Sequence, residues 1–360
     1  MSGPAGPPPP PAGPPPPAAG RHPVRTRFVN SPFPAAIVIV LILSAAAGLF
    51  AGSYCFALAN PTPHRIPIGV TGSSEHGGRL VTGLERALGS SLPPRRFPDD
   101  PAALAAVDRQ EIFAVLRLLP GHAELQVASA SGASVARVLR QAGPPVGRQV
   151  GVPVTVRDVR PLQSTDPQGL ALFYVSLAAV LVGFVGAAQL SVHAKALHPV
   201  ERVAVTATYA GLGGLSICLV VDPLLGVLDL PLTETWGILT LTMFASGMVF
   251  TMFQTLVGRW AILPTWGLMV LIGSPSSGGA VSWALLPEPF GTVGRWLPPG
   301  ACVNAVHNAV YFPHHQQAAP LWVLGTWAAL ATAVFLVWRE RHPGGRARRG
   351  RATAAPAPPP

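Results

Sequence analysis

Lysine is almost missing from this chain: Lys195 is the only one in 360 residues, against 24 arginines. A phosphate-cradling P-loop needs a glycine-rich turn that ends in Lys followed by Ser or Thr, and Lys195 is followed by Ala196. No Walker-type ATPase site therefore resides on this polypeptide. Cysteine is nearly as scarce. Cys55, Cys218 and Cys302 show no paired short spacing, which argues against a disulfide framework or a cysteine zinc site and leaves three small packing residues. Charge of either sign is low: 11% of residues are Asp, Glu, Lys or Arg, while 49% are hydrophobic, and the mean hydropathy is +0.41. These values exclude an ordinary soluble protein and point to a membrane protein.

What is present is a set of long uncharged runs. About 20 apolar residues suffice for a helix to cross the ~30 Å hydrocarbon core, and only closed hydrogen bonding lets a backbone do so. The first run, Ala35 to Ala59, lies between Pro34 and Pro61. It exceeds the ~7–15 residues of a signal-peptide core and reads as a retained anchor; its Gly48 and Gly52 form a GxxxG pair. Four further spans are expected at about Gly169–Val192, Val203–Val221, Trp236–Val257 and Pro320–Trp338. Another starts at Trp260 and meets Ser274 and Pro275 after a short stretch, which suggests a broken or re-entrant helix. The expected fold is thus an α-helical integral membrane protein with six transmembrane helices, one plus five, and a small α/β extracytoplasmic domain between the first and second.

The division along the chain follows from texture. Residues 1–33 form a Pro-rich cytoplasmic tail expected to be disordered. Residues 34–60 are the first span and 61–167 the α/β domain. Residues 168–338 hold five spans with an outer hairpin at 275–312, and 339–360 form a basic disordered tail. Within 61–167, Ile66–Thr71, Glu111–Leu119, Glu124–Ser129 and Val150–Val159 read as strands, while Val81, Leu84, Leu88 and Val135, Val138, Leu139 recur at helical spacing.

Basic residues set the expected orientation. With both termini in the cytoplasm, inner segments hold Arg21, Arg25, Arg27, Lys195, Arg202, Arg259, Arg339, Arg341, Arg346, Arg348, Arg349 and Arg351, and the short outer loops hold only Arg295. That bias explains the net charge of +10 through topology and lipid contact, so nucleic acid is not an expected partner. The localisation expected is a multi-pass protein of the plasma membrane.

Chemistry-bearing clusters are few. His314 and His315 are adjacent and point apart unless the backbone turns, with only His307 nearby. Glu75, His76, Asp99, Asp100, Asp108 and Glu111 show no spacing that singles out an acid–base pair, and no nucleophile elbow is present. No enzyme activity, cofactor or metal is expected. The confident spans carry no Asp, Glu, Lys or Arg, which speaks against a self-powered ion-coupled carrier. Inside them Gln189 and Gln254 read as helix–helix hydrogen-bonding groups.

The order of parts, together with particular residues, resembles a known family. Asp166-Pro167-Gln168-Gly169 followed by Leu172, Phe173 and Tyr174, then Ser274-Pro-Ser-Ser-Gly-Gly279, Leu285-Leu-Pro287, Trp296-Leu-Pro-Pro-Gly300, Asn304, His307, Asn308 and Tyr311-Phe312, resemble segments of the actinobacterial YhgE/Pip-like membrane proteins related to type-2 ABC export permeases. The resemblance implies export of a hydrophobic or envelope-directed substrate, energised by a separate ATPase subunit, with two permease halves pairing as a homodimer or with a similar chain. It further implies an ATPase-coupling loop at His193, Lys195, His198, Glu201 and Arg202. An outer gate would fall at Pro275, Gly278, Gly279, Trp296, Pro298, Pro299 and Gly300. The rival expectation is a non-transporting envelope protein whose ectodomain binds a wall component, a secreted protein or a phage. The chain lacks an amphipathic helix ahead of its first span, where such permeases rest on their ATPase.

Overall fold

The computed structural model describes residues 33–59 and 61–342. Residues 1–32 and 343–360, on which the expectation of two disordered tails falls, lie outside the described residues. The chain through Ala51 and the chain from Gly52 onward form two compact units. Helix α1, Phe33–Leu58, begins in the first. Its 26 residues carry no charge and extend about 39 Å at 1.5 Å per residue, long enough to cross a bilayer. Pro61 and Pro63 follow its last turn and cannot continue it.

In the second unit a five-stranded mixed sheet has the order β2-β1-β3-β4-β5. The strands are β1 Ile68–Thr71, β2 Pro94–Arg96, β3 Ala114–Leu119, β4 His122–Val127 and β5 Val154–Asp158. β1 runs parallel to β2 and β3, the β3–β4 hairpin is antiparallel, and β5 runs parallel to β4. Strand alternation sends Leu116 and Leu125 to one face, where Leu80 and Leu84 of α2 (Gly77–Leu88) and Val135 and Leu139 of α4 (Ala133–Val150) cover them. Val115 and Ala128 face the other way, against Ala103, Ala106 and Val107 of α3 (Asp100–Asp108). Each fully buried Leu contributes about 1.5–3 kcal/mol.

Four long helices follow: α5 Ala171–His193, α6 Pro199–Leu219, α7 Leu232–Val257 and α11 Ala318–Arg341. α7 packs against the other three and is the most buried, with 67% of its apolar window inside the structure. Polar groups tie the bundle together. The Tyr209 hydroxyl of α6 donates to the Gly183 carbonyl of α5, and Arg202 Nη2 of α6 donates to Gln254 Oε1 of α7 at 3.1 Å. Gln254 thus bonds between helices, to a partner in the first turn of α6. α5 starts where the buried Asp166 carboxylate accepts the Leu170 and Ala171 N–H groups at 3.1 and 2.9 Å, which satisfies two of the orphan donors of a helix N-terminus.

The structure differs from expectation in three places. Five helices, counting α1 and α6 as far as Leu224, are long and apolar enough to cross a membrane among the described residues, where six spans are expected. The segment after Trp260 is a shorter apolar helix, Ile262–Gly273. It consists of α8 Ile262–Trp266 and a widened π-type turn Gly267–Gly273, and it stops where the Ser274 and Ser276 hydroxyls cap the Met269 and Ile272 carbonyls. Second, α11 continues to Arg341, so Arg339 and Arg341 are helical rather than part of a tail.

Third, the 275–312 segment is not a hairpin of two helices. Between Pro275 and Leu297 the described helices are single turns, with α9 at Phe290–Val293, and only α10, Pro298–Tyr311, is substantial. Its residues 281–285 face the sheet. Ala284 and Leu285 are part of the core under α2 and α4, and Val281 and Trp283 pack against it. The Ala284 carbonyl accepts the His64 N–H at 2.9 Å, and Ser134 Oγ accepts the Ser282 N–H at 2.9 Å. Such residues cost free energy if left in water; the strand-and-helix layer that covers them belongs to this chain.

Candidate functional site

Where the sheet segment meets the helices, a cavity of about 430 Å³ opens. That volume falls in the ~300–1,000 Å³ range of small-molecule sites. One wall is the run Ser129 to Ser134, which links β4 to α4, with Gln110 and Phe113 beside it. The opposite wall is Val303, Asn304, His307 and Tyr311 of α10, and the stretch Ser276–Ala280 closes the base. Thr292, Arg295 and Trp296 form the rim, and Gln168, Gly169, Leu172 and Val323 contribute from the starts of α5 and α11.

The geometry around the cavity is tightly held. Gln110 is the one non-glycine among the described residues with positive φ, at 58°. This backbone state is uncommon for a side-chain-bearing residue and persists where surroundings enforce it. Its Nε2 donates to Asn308 Oδ1 at 2.6 Å, and Gln317 Nε2 donates to the Arg109 carbonyl at 3.3 Å. One short turn after α3 is thereby tied to both α10 and α11. Among the lining residues the Ser134 hydroxyl donates to the Ser282 hydroxyl at 3.0 Å.

Charge on these walls is one-sided. Among the described lining residues Arg295 alone is formally charged, and none is Asp or Glu. Its guanidinium carbon stands 4.0 Å above the Trp283 ring centroid, within cation–π range. Burial holds its pKa below the ordinary guanidinium value, and Glu288 offsets part of that shift. His307 is pushed down to about 4 by burial, with the Ala130 backbone pulling the other way; the imidazole is therefore neutral at pH 7. Burial also pushes the Tyr311 hydroxyl up to about 12. The described walls combine hydroxyls, amides, a neutral imidazole and one cation, groups able to hydrogen-bond a polar ligand. No three His, Cys, Asp or Glu among the described residues are grouped to hold a metal ion, and His314 and His315 lie exposed after α10.

The expected gate residues divide into two sets. Gly278, Gly279 and Trp296 line the cavity. Pro275, Pro298, Pro299 and Gly300 do not; they are buried in a packing knot beneath it. A Cβ on Gly294 would stand 1.7 Å from the Ser276 carbonyl oxygen, and one on Gly300 would stand 2.1 Å from that of Gly294. Only a bare backbone allows that approach, so both positions require glycine.

The expected coupling loop is also shorter than 193–202. His193 ends α5, Lys195 is exposed in the connector 194–198, and His198 caps α6. Glu201 and Arg202 are inside the helix: Glu201 Oε2 accepts the His198 N–H at 2.7 Å in a capping box, and Arg202 is engaged by Gln254. Sequence reasoning passed over Gln110, Ser131 and Ser134. The only local signal was the small, hydroxyl-rich run Ser129-Ala-Ser-Gly-Ala-Ser134 between a strand and a helix. Comparison with known proteins assigns nothing further: no family model matches the chain, and no curated protein matches it.

Proposed function

We propose that this chain is the membrane-spanning subunit of an ABC-type exporter, handling a hydrophobic or envelope-directed substrate and energised by a separate ATPase. The observation that carries the reading is the cavity at the junction of the sheet segment and a bundle of long apolar helices, a place where a substrate leaving the bilayer region would be received. In this reading the protein sits in the plasma membrane with both termini cytoplasmic and residues 61–167 outside. It works as a dimer with itself or a similar chain, and it involves neither nucleic acid nor catalysis of its own.

Both termini on one side require an even number of crossings, and the path of the chain supports a sixth. α7 begins just after Asp229, whose N–H donates to Gln163 beside the sheet, and it runs away for 26 residues to Val257. By Ser282 the chain is again bonded to Ser134 of the sheet segment. Helical turns from Gly258 to Gly273, about 24 Å at 1.5 Å per residue, and the turns that follow make that return.

The test is co-purification from native membranes followed by reconstitution. An ATPase subunit in the complex and ATP-dependent flux of labelled envelope lipid across vesicles are the expected results; recovery without any ATPase, together with no flux, would remove the export reading. The short connector 194–198 offers little surface to an ATPase and favours the second reading, an envelope protein that binds its ligand without moving it.

A further inference from the structure

The junction cavity is assigned a ligand class by its electrostatics. Arg295 makes no hydrogen bond or ion pair with a described residue beyond its stacking on Trp283. A guanidinium presents five donors in a planar fork that fits the oxygens of carboxylate or phosphate, and here that fork, exposed and acted on by the Glu288 charge, makes no hydrogen bond to a described residue. A second donor set faces the same space. α4 is 18 residues long and starts at Ala133 on the cavity wall, and its N-cap residue Gly132 supplies no side-chain acceptor to the first-turn N–H groups. Free N–H groups and the positive end of the helix dipole both favour an anion. The Ser131 hydroxyl, also on the wall, is buried without a partner among the described residues. No carboxylate is among the described lining residues; Glu288, whose charge acts on Arg295, is not one of them. Trp283, Trp296, Leu172 and Val303 supply apolar surface next to these donors.

We propose that the cavity binds the oxyanion headgroup of an amphiphile, with Arg295 and the α4 N-terminus holding the charged oxygens and the tryptophan rim covering the first part of the apolar chain. The volume admits a headgroup and its linker, not a whole lipid. This rests on reading the junction cavity as the ligand-handling site, but it does not require transport. The same oxyanion chemistry would serve free phosphate.

Titration calorimetry on the purified full chain in neutral detergent separates these cases. The probes are dihexanoylglycerol phosphate, dihexanoylglycerol and inorganic phosphate. The phosphate-bearing lipid should bind about 10- to 100-fold more tightly than its uncharged analogue, the range expected of charge-assisted hydrogen bonds. Arg295→Gln should abolish most of that difference, and Arg295→Lys, which keeps charge without the fork, should restore part of it. Arg259→Gln, at a guanidinium stacked on Trp260 outside the cavity, should change nothing. Inorganic phosphate binding as tightly as the lipid, with the same dependence on Arg295, would keep the oxyanion site and name a soluble occupant. Equal binding of the two lipids, no effect of Arg295→Gln, or an equal effect of Arg259→Gln would each overturn the proposal. Arg295-dependent binding without ATP-driven flux would remove the export reading and leave the site standing.

Discussion

His307 shows how a residue gains its character from tertiary placement. In sequence it is one of ten histidines, close to an adjacent pair that is exposed. In the structure it sits on α10 beside Tyr311 and Phe312, with ring centroids 5.4 and 5.7 Å away, and its pKa is pushed down to about 4. The folded state therefore prefers the neutral ring. The sign follows: this contribution is complete above the unfolded value of ~6.5 and is lost as pH falls toward 4. The wild-type chain should lose thermal stability between pH 7 and pH 4.5 by more than His307→Gln does, measured by unfolding in detergent across that range. Identical pH profiles for the two proteins would contradict the assignment. Little of this was legible beforehand, because periodicity reports burial of apolar faces and says nothing of which polar residues share a wall. Arg295 was legible only as the lone basic residue of the outer loops. Its lack of an acceptor partner is a property of the folded chain.

At the scale of elements, legibility tracked length and amplitude. The long apolar helices declare themselves because twenty uncharged residues have few other uses, and the expected ends fall within a few residues of those observed. β3 carries a near-continuous apolar run because both its faces are covered. β2 went unseen: three exposed residues, one a proline, present no pattern. α3 went unseen although Asp99 caps it by accepting the Ala102 N–H at 2.8 Å, because its apolar face is mostly alanine and barely registers. The 281–285 stretch is the instructive case. Its apolar character was plain, and the partner was not, since nothing local tells a lipid-facing Leu from one destined for a sheet nearly 150 residues earlier. Leu285 is fully buried in that core. Leu285→Ala should cost about 2–5 kcal/mol and should speed hydrogen exchange in β1, β3 and β4 as well as around residue 285. Loss of protection confined to 281–286 would show that the stretch is not integral to the sheet core.

For the molecule as a whole, the proposed topology predicts which surfaces water-soluble reagents reach from outside a cell. Lys195 in the α5–α6 connector and His122 at the tip of the β3–β4 hairpin are both exposed, so each accepts a cysteine without disturbing packing. In a background lacking Cys55, Cys218 and Cys302, a membrane-impermeant maleimide should label His122→Cys in intact cells and Lys195→Cys only after lysis. Labelling of Lys195→Cys alone in intact cells would invert the orientation. Ser131, whose hydroxyl is buried at the cavity, would be a poor reporter. The sheet segment and the bundle belong to one compact unit from Gly52 onward, tied by Gln163–Asp229, Thr165–Val227 and Gln110–Asn308.

That Leu285 completes the sheet core has a consequence in time. β5, the last strand, ends at Asp158, and the ribosome must add well over a hundred more residues before the plug exists. At ~5–20 residues per second this is on the order of 6–25 s. During that interval a strand-and-helix layer stands unfinished while α5, α6 and α7 are still being threaded into the membrane. A nascent chain in this condition exposes the sheet surface that residues 281–285 later cover; a fragment ending after β5 would be left in that state permanently.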